Sequence, residues 1–216
     1  MPTAPSVPTS PSGDRSLPLR ERKKLRTRRA LADAALTLFT AKGFDATTVD
    51  ELADSVEVSK STFFRTFPSK EAAAIEAETE VWTVWLAALE ARGLSGPVFP
   101  ALCDTLAEAA TALPPDWDER YVATRRLVMT AAALLSQVEL QRNDVKRRAR
   151  ATLAAKLGLD PEDLRLHVLS ELTMTAWSVS AREWVRSGAD GGRETLLARL
   201  HDAFTAIPAS LDLAAG

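Results

Sequence analysis

Apolar residues recur along most of this chain at three- and four-residue spacing, and no segment alternates convincingly with the two-residue period of a strand. The first clear stripe is Leu31, Ala34, Ala35, Leu38 and Phe39, closed by Gly43 as a helix C-terminus should be. Two short amphipathic segments follow. A long helix is then expected over residues 68–92, carrying Ile75, Val81, Trp82, Val84, Trp85, Leu86 and Leu89. Residues 93–97 break it, and a helix over 98–113 is stopped by Pro114 and Pro115. Asp116 is placed to cap a helix over 117–136, and a strongly basic helix over 138–157 ends at Gly158. Asp160, Pro161, Glu162 and Asp163 have the form of a helix start, with a cap, a proline at the first position and acids in the first turn. That helix is expected to reach Arg186; after a turn over 187–192 the last helix, 194–207, stops before Pro208. The pattern predicts an all-α fold of about nine helices without internal repeats.

Residues 47–70 are the most informative. Thr48 can cap a short helix, and Glu51 three residues later completes a Thr-x-x-Glu capping box. Leu52, Ala53 and Val56 give that helix one apolar face. Ser59 then caps a second short helix whose inward residues are Phe63 and Phe67. Two helices of this size cannot bury a core alone, so the pair must rest on a third. Outward stand Ser59, Lys60, Ser61, Thr62 and Arg65, a row of hydrogen-bond donors with positive charge. A helix-turn-helix presents its recognition helix to a DNA groove in this way.

Charge agrees with that placement. The whole chain carries −2, but residues 15–70 hold 12 Lys or Arg against 7 Asp or Glu, and the excess basic charge is set against an acidic remainder. Arg20, Arg22, Lys23, Lys24, Arg26, Arg28 and Arg29 concentrate it just before and within the first helix, which suits docking of one end onto a polyanion with steep salt dependence. With 216 residues, 46% of them hydrophobic, the chain can bury a substantial core. No apolar run approaches a membrane span. Residues 1–18, rich in Pro, Ser and Thr, read as a disordered tail and not a signal peptide. The single cysteine excludes an intrachain disulfide framework and fits a reducing cytoplasm.

Residues 20–70 resemble the N-terminal domain of the TetR-type family of bacterial transcriptional repressors. The run from Arg28 to Phe44 is similar to the family's first helix and closing turn, and residues 45–70, ending Phe63-Phe-Arg-Thr-Phe-Pro-Ser-Lys70, to its signature. The resemblance implies a DNA-binding domain over 19–70 and a ligand-binding and dimerisation domain over 71–216. It puts Lys60, Ser61 and Thr62 nearest the base edges, with Thr48, Ser59, Phe64, Arg65 and Lys70 on the DNA backbone beside Arg26 and Arg28. Two positions depart from the family. Glu57 stands where glycine is usual, so a left-handed backbone there costs on the order of 1 kcal/mol. Phe64 replaces the commoner tyrosine and can offer the DNA backbone only apolar packing.

Further on, Leu164, Val168, Leu172, Val179 and Trp184 form one stripe and Leu196, Leu200, Ala203, Phe204 and Ile207 another. Periodicity suits either internal core or a subunit interface. The resemblance implies a homodimer that sets two recognition helices about 34–36 Å apart on a near-palindromic double-stranded operator. It also marks Trp82, Trp85, Phe99, Tyr121 and Trp177, with Cys103 and Met129, as candidates to line a largely apolar ligand pocket, although the same spacing suits plain core. Cys103 reads equally as a small buried hydrophobe. His167 and His201 lack metal-ligand spacing with any cysteine or carboxylate, and no phosphate loop or nucleophile elbow is present, so no metal, cofactor or catalysis is expected. The expectation is a repressor released by a small molecule. The alternatives are a DNA-binding activator, a protein-binding adaptor of the same fold, and a helical enzyme with an apolar substrate.

Overall fold

The computed structural model describes residues 18–214; the tail expected over 1–18 lies, apart from Pro18, outside the described residues. Among the described residues there are ten helices and no strand: α1 (Leu19–Lys42), α2 (Val49–Ser55), α3 (Lys60–Thr66), α4 (Lys70–Ala74), α5 (Glu76–Ala91), α6 (Val98–Thr111), α7 (Trp117–Val128), α8 (Ala132–Leu157), α9 (Leu164–Arg186) and α10 (Gly192–Ser210). The all-α expectation holds.

Two hydrophobic cores organise the chain. The first joins Leu31, Ala35 and Phe39 of α1 to Leu52, Phe63, Phe67 and Ile75, and it also takes in Leu127, Val128, Leu134 and Val138 from the end of α7 and the start of α8. The second contains Val81, Trp82, Trp85 and Leu89 of α5, Leu102 and Leu106 of α6, and Trp177, Trp184, Leu196 and Leu200 of α9 and α10. Arg193 fastens α10 to this second core by donating to the carbonyls of Ala110, Leu113 and Pro114 beyond and at the end of α6.

The passage from one core to the other explains the first of two departures from the expected helices. The single helix expected over 68–92 is broken at Ile75, whose backbone sits at φ −103°, ψ 19° while its side chain stays buried in the first core. Beyond it, Ala77 and Val81 turn into the second core. The break expected near residue 137 falls instead at 129–131, with Ala131 extended at φ −140°, ψ 123°.

Three helix ends also differ. α1 begins at Leu19, so the basic cluster lies on the helix itself. Asp160 to Asp163 is a turn, not a first helical turn: Asp160 accepts from the Glu162 N–H at 2.9 Å and Asp163 is the cap, accepting from the Arg165 N–H at 2.9 Å. α10 runs past Pro208 to Ser210, with the proline inside its last turn.

Three acids at the start of α5 tie the two cores together. Glu76 accepts from Arg28 of α1 at 2.5 and 2.6 Å, and Glu80 from Arg120 of α7 at 2.8 and 2.8 Å. Glu78, fully buried, faces Arg142 of α8 at 3.0 Å and Arg125 of α7 at 3.6 Å. Burial pushes the Glu76 carboxyl above its ordinary range despite Arg28 beside it.

Candidate nucleic-acid interface

The candidate DNA-facing surface is built on α2 and α3, and its rigidity starts with their caps. Thr48 Oγ1 accepts from the Glu51 N–H at 3.2 Å while Glu51 Oε2 accepts from the Thr48 N–H at 2.9 Å, completing the capping box. The Lys42 ammonium donates to Glu51 at 2.6 Å and, with the Thr48 bonds, holds that carboxyl down at about 2. α2 ends in a Schellman motif: the Val58 N–H reaches the Ala53 carbonyl at 3.0 Å and the Glu57 N–H reaches Asp54 at 3.1 Å. The motif requires a left-handed residue between them, and Glu57 supplies it at φ 55°. Ser59 then caps α3, accepting from the Thr62 N–H at 3.1 Å.

One side of α3 is locked by Phe63 and Phe67, at 0% and 1% exposure. Its other side leaves Lys60, Ser61, Phe64 and Arg65 exposed, next to the exposed cap residue Ser59. Phe64 stands edge-on to Phe63 with ring centroids 5.5 Å apart and keeps 49% of its surface. Thr62 is only half-exposed, and its hydroxyl is engaged by Ser59 at 3.0 Å and Arg65 at 3.2 Å. Lys60 donates to Asp50 of α2 at 3.0 Å, a partner ten residues away that helical spacing does not reveal.

Arg26 is exposed and forms no ion pair among the described residues. Arg28 and Lys70 are placed differently. Besides its two bonds to Glu76, Arg28 donates to the Thr66 carbonyl at 2.9 Å and lies over the Phe67 ring at 4.4 Å. Lys70 donates to the carbonyls of Phe44 at 2.9 Å and Thr47 at 3.1 Å, with the Phe44 ring 4.2 Å from its ammonium. Both cations are engaged in tying the helix-turn-helix to its supports.

The residues named for a ligand do not form one lining. Trp82, Trp85, Tyr121 and Trp177 are at most 2% exposed and pack on one another: Trp82 meets Trp85 at 5.7 Å and Trp177 at 5.5 Å, while Trp177 donates to the Tyr121 hydroxyl at 3.2 Å. Trp117, at the start of the helix expected over 117–136, is the first residue of α7 and joins them, stacked on Trp184 at 6.3 Å. Burial drives the Tyr121 hydroxyl well above its ordinary range, and the Glu78 charge adds to the shift. Phe99 and Cys103 lie apart from this cluster, lining with His201 and Phe204 a surface groove of about 330 Å³ between α6 and α10. Met129 is 70% exposed at the corner between α7 and α8 and lines neither the cluster nor the groove.

The two C-terminal stripes also divide. Trp184, Leu196, Leu200 and Phe204 are buried inside the second core. Leu164, Val168 and Val179 remain exposed along α9, with Leu172 and Ile207 half-exposed.

Residues 31–77 match the family described as bacterial regulatory proteins, tetR family. The chain is 32% identical over 187 residues to the HTH-type transcriptional regulator TcmR of Streptomyces glaucescens, covering 83% of this chain and 81% of that protein. It is 36% identical over 80 residues to the regulator RutR of Escherichia coli K12, 37% of this chain and 35% of that one. Among solved structures it is similar to NalD, the secondary repressor of the MexAB-OprM multidrug efflux pump in Pseudomonas aeruginosa, with a TM-score of 0.52, 19% identity and coverage of 85% of this chain and 95% of that one. It is also similar to Thermus thermophilus FadR solved with lauroyl-CoA, with a TM-score of 0.50, 19% identity and coverage of 88% and 97%. At those identities the structural likenesses speak for the fold.

Proposed function

The chain belongs to the TetR family of bacterial regulatory proteins, and from that premise we propose that it acts as a homodimeric repressor released from its operator by a small molecule. It is a DNA-binding transcriptional regulator and not an enzyme, as its relatives are regulators. The observation that carries the proposal is the free edge of α3, where Lys60, Ser61, Phe64 and Arg65 are exposed on a helix whose opposite side is clamped by Phe63 and Phe67. In this reading residues 19–70 form the DNA-binding domain. Lys60 and Ser61 meet base edges, while Thr48, Ser59, Phe64, Arg65 and Arg26 set the register on the backbone. Thr62 contributes by fixing Arg65, and Arg28 and Lys70 by holding the reading head to its supports.

Residues 71–216 bind the ligand and the second subunit. A largely apolar ligand would enter by parting the indoles around Trp82 and Trp177, beside the buried Glu78 carboxylate. It releases the operator by favouring a DNA-incompetent state by a few kcal/mol, transmitted along α5 to the Arg28–Glu76 contact. Such a regulator works in the cytoplasm; among the described residues no helix is long and apolar enough to cross a membrane.

The test is selection of the purified protein against a random duplex library, followed by anisotropy titration at two salt concentrations. A recovered near-palindrome, bound less tightly as salt rises, is the expected result. Absence of binding at low salt would overturn the DNA-binding role and put the adaptor reading first.

A further inference from the structure

We propose that Asp50 is a specificity-determining residue of the DNA interface, acting by holding the Lys60 ammonium away from phosphates and toward base edges. The inference rests on α3 being the recognition helix. Asp50 is the second residue of α2 and Lys60 the first of α3; Lys60 Nζ donates to Asp50 Oδ2 at 3.0 Å, and the side chains are 62% and 56% exposed.

Stability does not account for this pair, because an ion pair so open to water contributes little to folding. Affinity does not account for it either, since a carboxylate beside a polyanion repels what the interface must bind. The neighbouring pair makes the contrast. Glu51 binds Lys42 but also completes the capping box through the Thr48 N–H, whereas the Asp50 carboxylate has no hydrogen-bond partner besides Lys60 among the described residues.

What Asp50 supplies is direction. A lysine is a point charge on a flexible stem and, left free, settles on the nearest phosphate, where it carries no sequence information. Anchored by one of its three N–H groups, the Lys60 ammonium keeps two donors at a fixed place on the first turn of α3. The Asp50 carboxylate repels a phosphate from that place and leaves it open to an uncharged acceptor such as guanine O6 or N7. The pair admits a base edge and refuses the backbone.

The experiment compares wild type, Asp50→Asn and Asp54→Asn in the same random-duplex selection, with anisotropy titrations on the recovered site and on a scrambled duplex. Asp54 is another exposed acid of α2, so its substitution removes the same charge without releasing Lys60. Asp50→Asn is expected to bind the scrambled duplex more tightly, with a steeper salt slope, and to lose about tenfold in discrimination at one or two positions per half-site. Asp54→Asn should raise affinity on both duplexes and keep the wild-type preference. Thermal melting confirms that each variant folds, and Asp50→Ala serves if Asp50→Asn does not. An unchanged preference in Asp50→Asn, or an equal loss in Asp54→Asn, overturns the role of Asp50 while leaving the DNA-binding reading intact. Failure of the wild type to recover any site removes that reading and this inference with it.

Discussion

At the scale of single residues, the backbone of Glu57 and the ammonium of Lys70 show two kinds of legibility. A glutamate at the α2–α3 turn stands out as a misfit through the family resemblance, in which glycine, the residue without a Cβ penalty in a left-handed backbone, is usual there. The φ of 55° bears this out. Glu57→Gly relieves about 1–2 kcal/mol of left-handed strain and returns part of it as unfolded-chain entropy, so a net gain of roughly 0.5–1 kcal/mol is expected. The urea midpoint measures it, and a lower midpoint would mean that the glutamate side chain contributes something of its own. Lys70 was not legible in the same way. Its acceptors, the Phe44 and Thr47 carbonyls, lie 26 and 23 residues away, and only the folded chain brings them within reach. Lys70→Ala is therefore expected to lower stability by about 1–3 kcal/mol, because two half-buried carbonyls lose their donor. Circular dichroism melting reads this directly; an unchanged melt with lost DNA affinity would return Lys70 to the phosphate role.

At the scale of elements, the local signals were readable and the tertiary ones were not. The Thr48 box, the Ser59 cap and the glycine after α1 depend on neighbours within four residues, and each stands where sequence alone put it. The breaks at Ile75 and at 129–131 carry no proline or glycine; the first arises because two cores compete for adjacent stretches of chain, whereas the second lies between residues of the same core. The same holds for the clasp across the first break, since Arg28 and Glu76 are 48 residues apart. Arg28→Ala leaves the buried Glu76 carboxylate without its cation, at an expected cost of about 2–3 kcal/mol, with the melting of the first three helices shifted most. The start of α2 has its own dependence on acidity. Lys42 and Thr48 hold the Glu51 carboxyl at about 2 against an ordinary 4.5. A carboxyl lowered in the folded state contributes stability that is complete above the unfolded value and lost as pH falls through the folded one. The box should stay closed at pH 4.5 and open on approach to pH 2, followed by NMR of the Thr48 amide. An amide that titrates with a midpoint near 4.5 would refute it.

At the scale of the whole molecule, one chain presents one recognition helix, and a palindromic site needs two. The surface best suited to pair subunits is the side of α9 left over after the second core has taken Trp177 and Trp184. Leu164 at 75%, Val168 at 48% and Val179 at 41% exposure line that side, with Leu172 between them. Sequence periodicity marked the whole stripe without dividing it, because a helix that feeds a core on one side and a partner on another is apolar on both. The division gives the prediction its leverage. Trp184, Leu196 and Leu200 are core residues whose replacement unfolds the monomer and reveals nothing about assembly. Val179→Glu changes an exposed position, where substitutions usually stay within about 0.5 kcal/mol of wild type in monomer stability. In a twofold interface the residue appears on both subunits, so two new carboxylates must be desolvated in the seam. Sedimentation equilibrium should find the wild type at twice the 23.4 kDa of the chain and Val179→Glu at or near the single mass. Anisotropy on a full site should fall toward the half-site affinity in the variant, while binding to an isolated half-site is unchanged. A variant that stays dimeric would move the interface off this side of α9, and a monomeric wild type would remove the twofold basis for a palindromic operator.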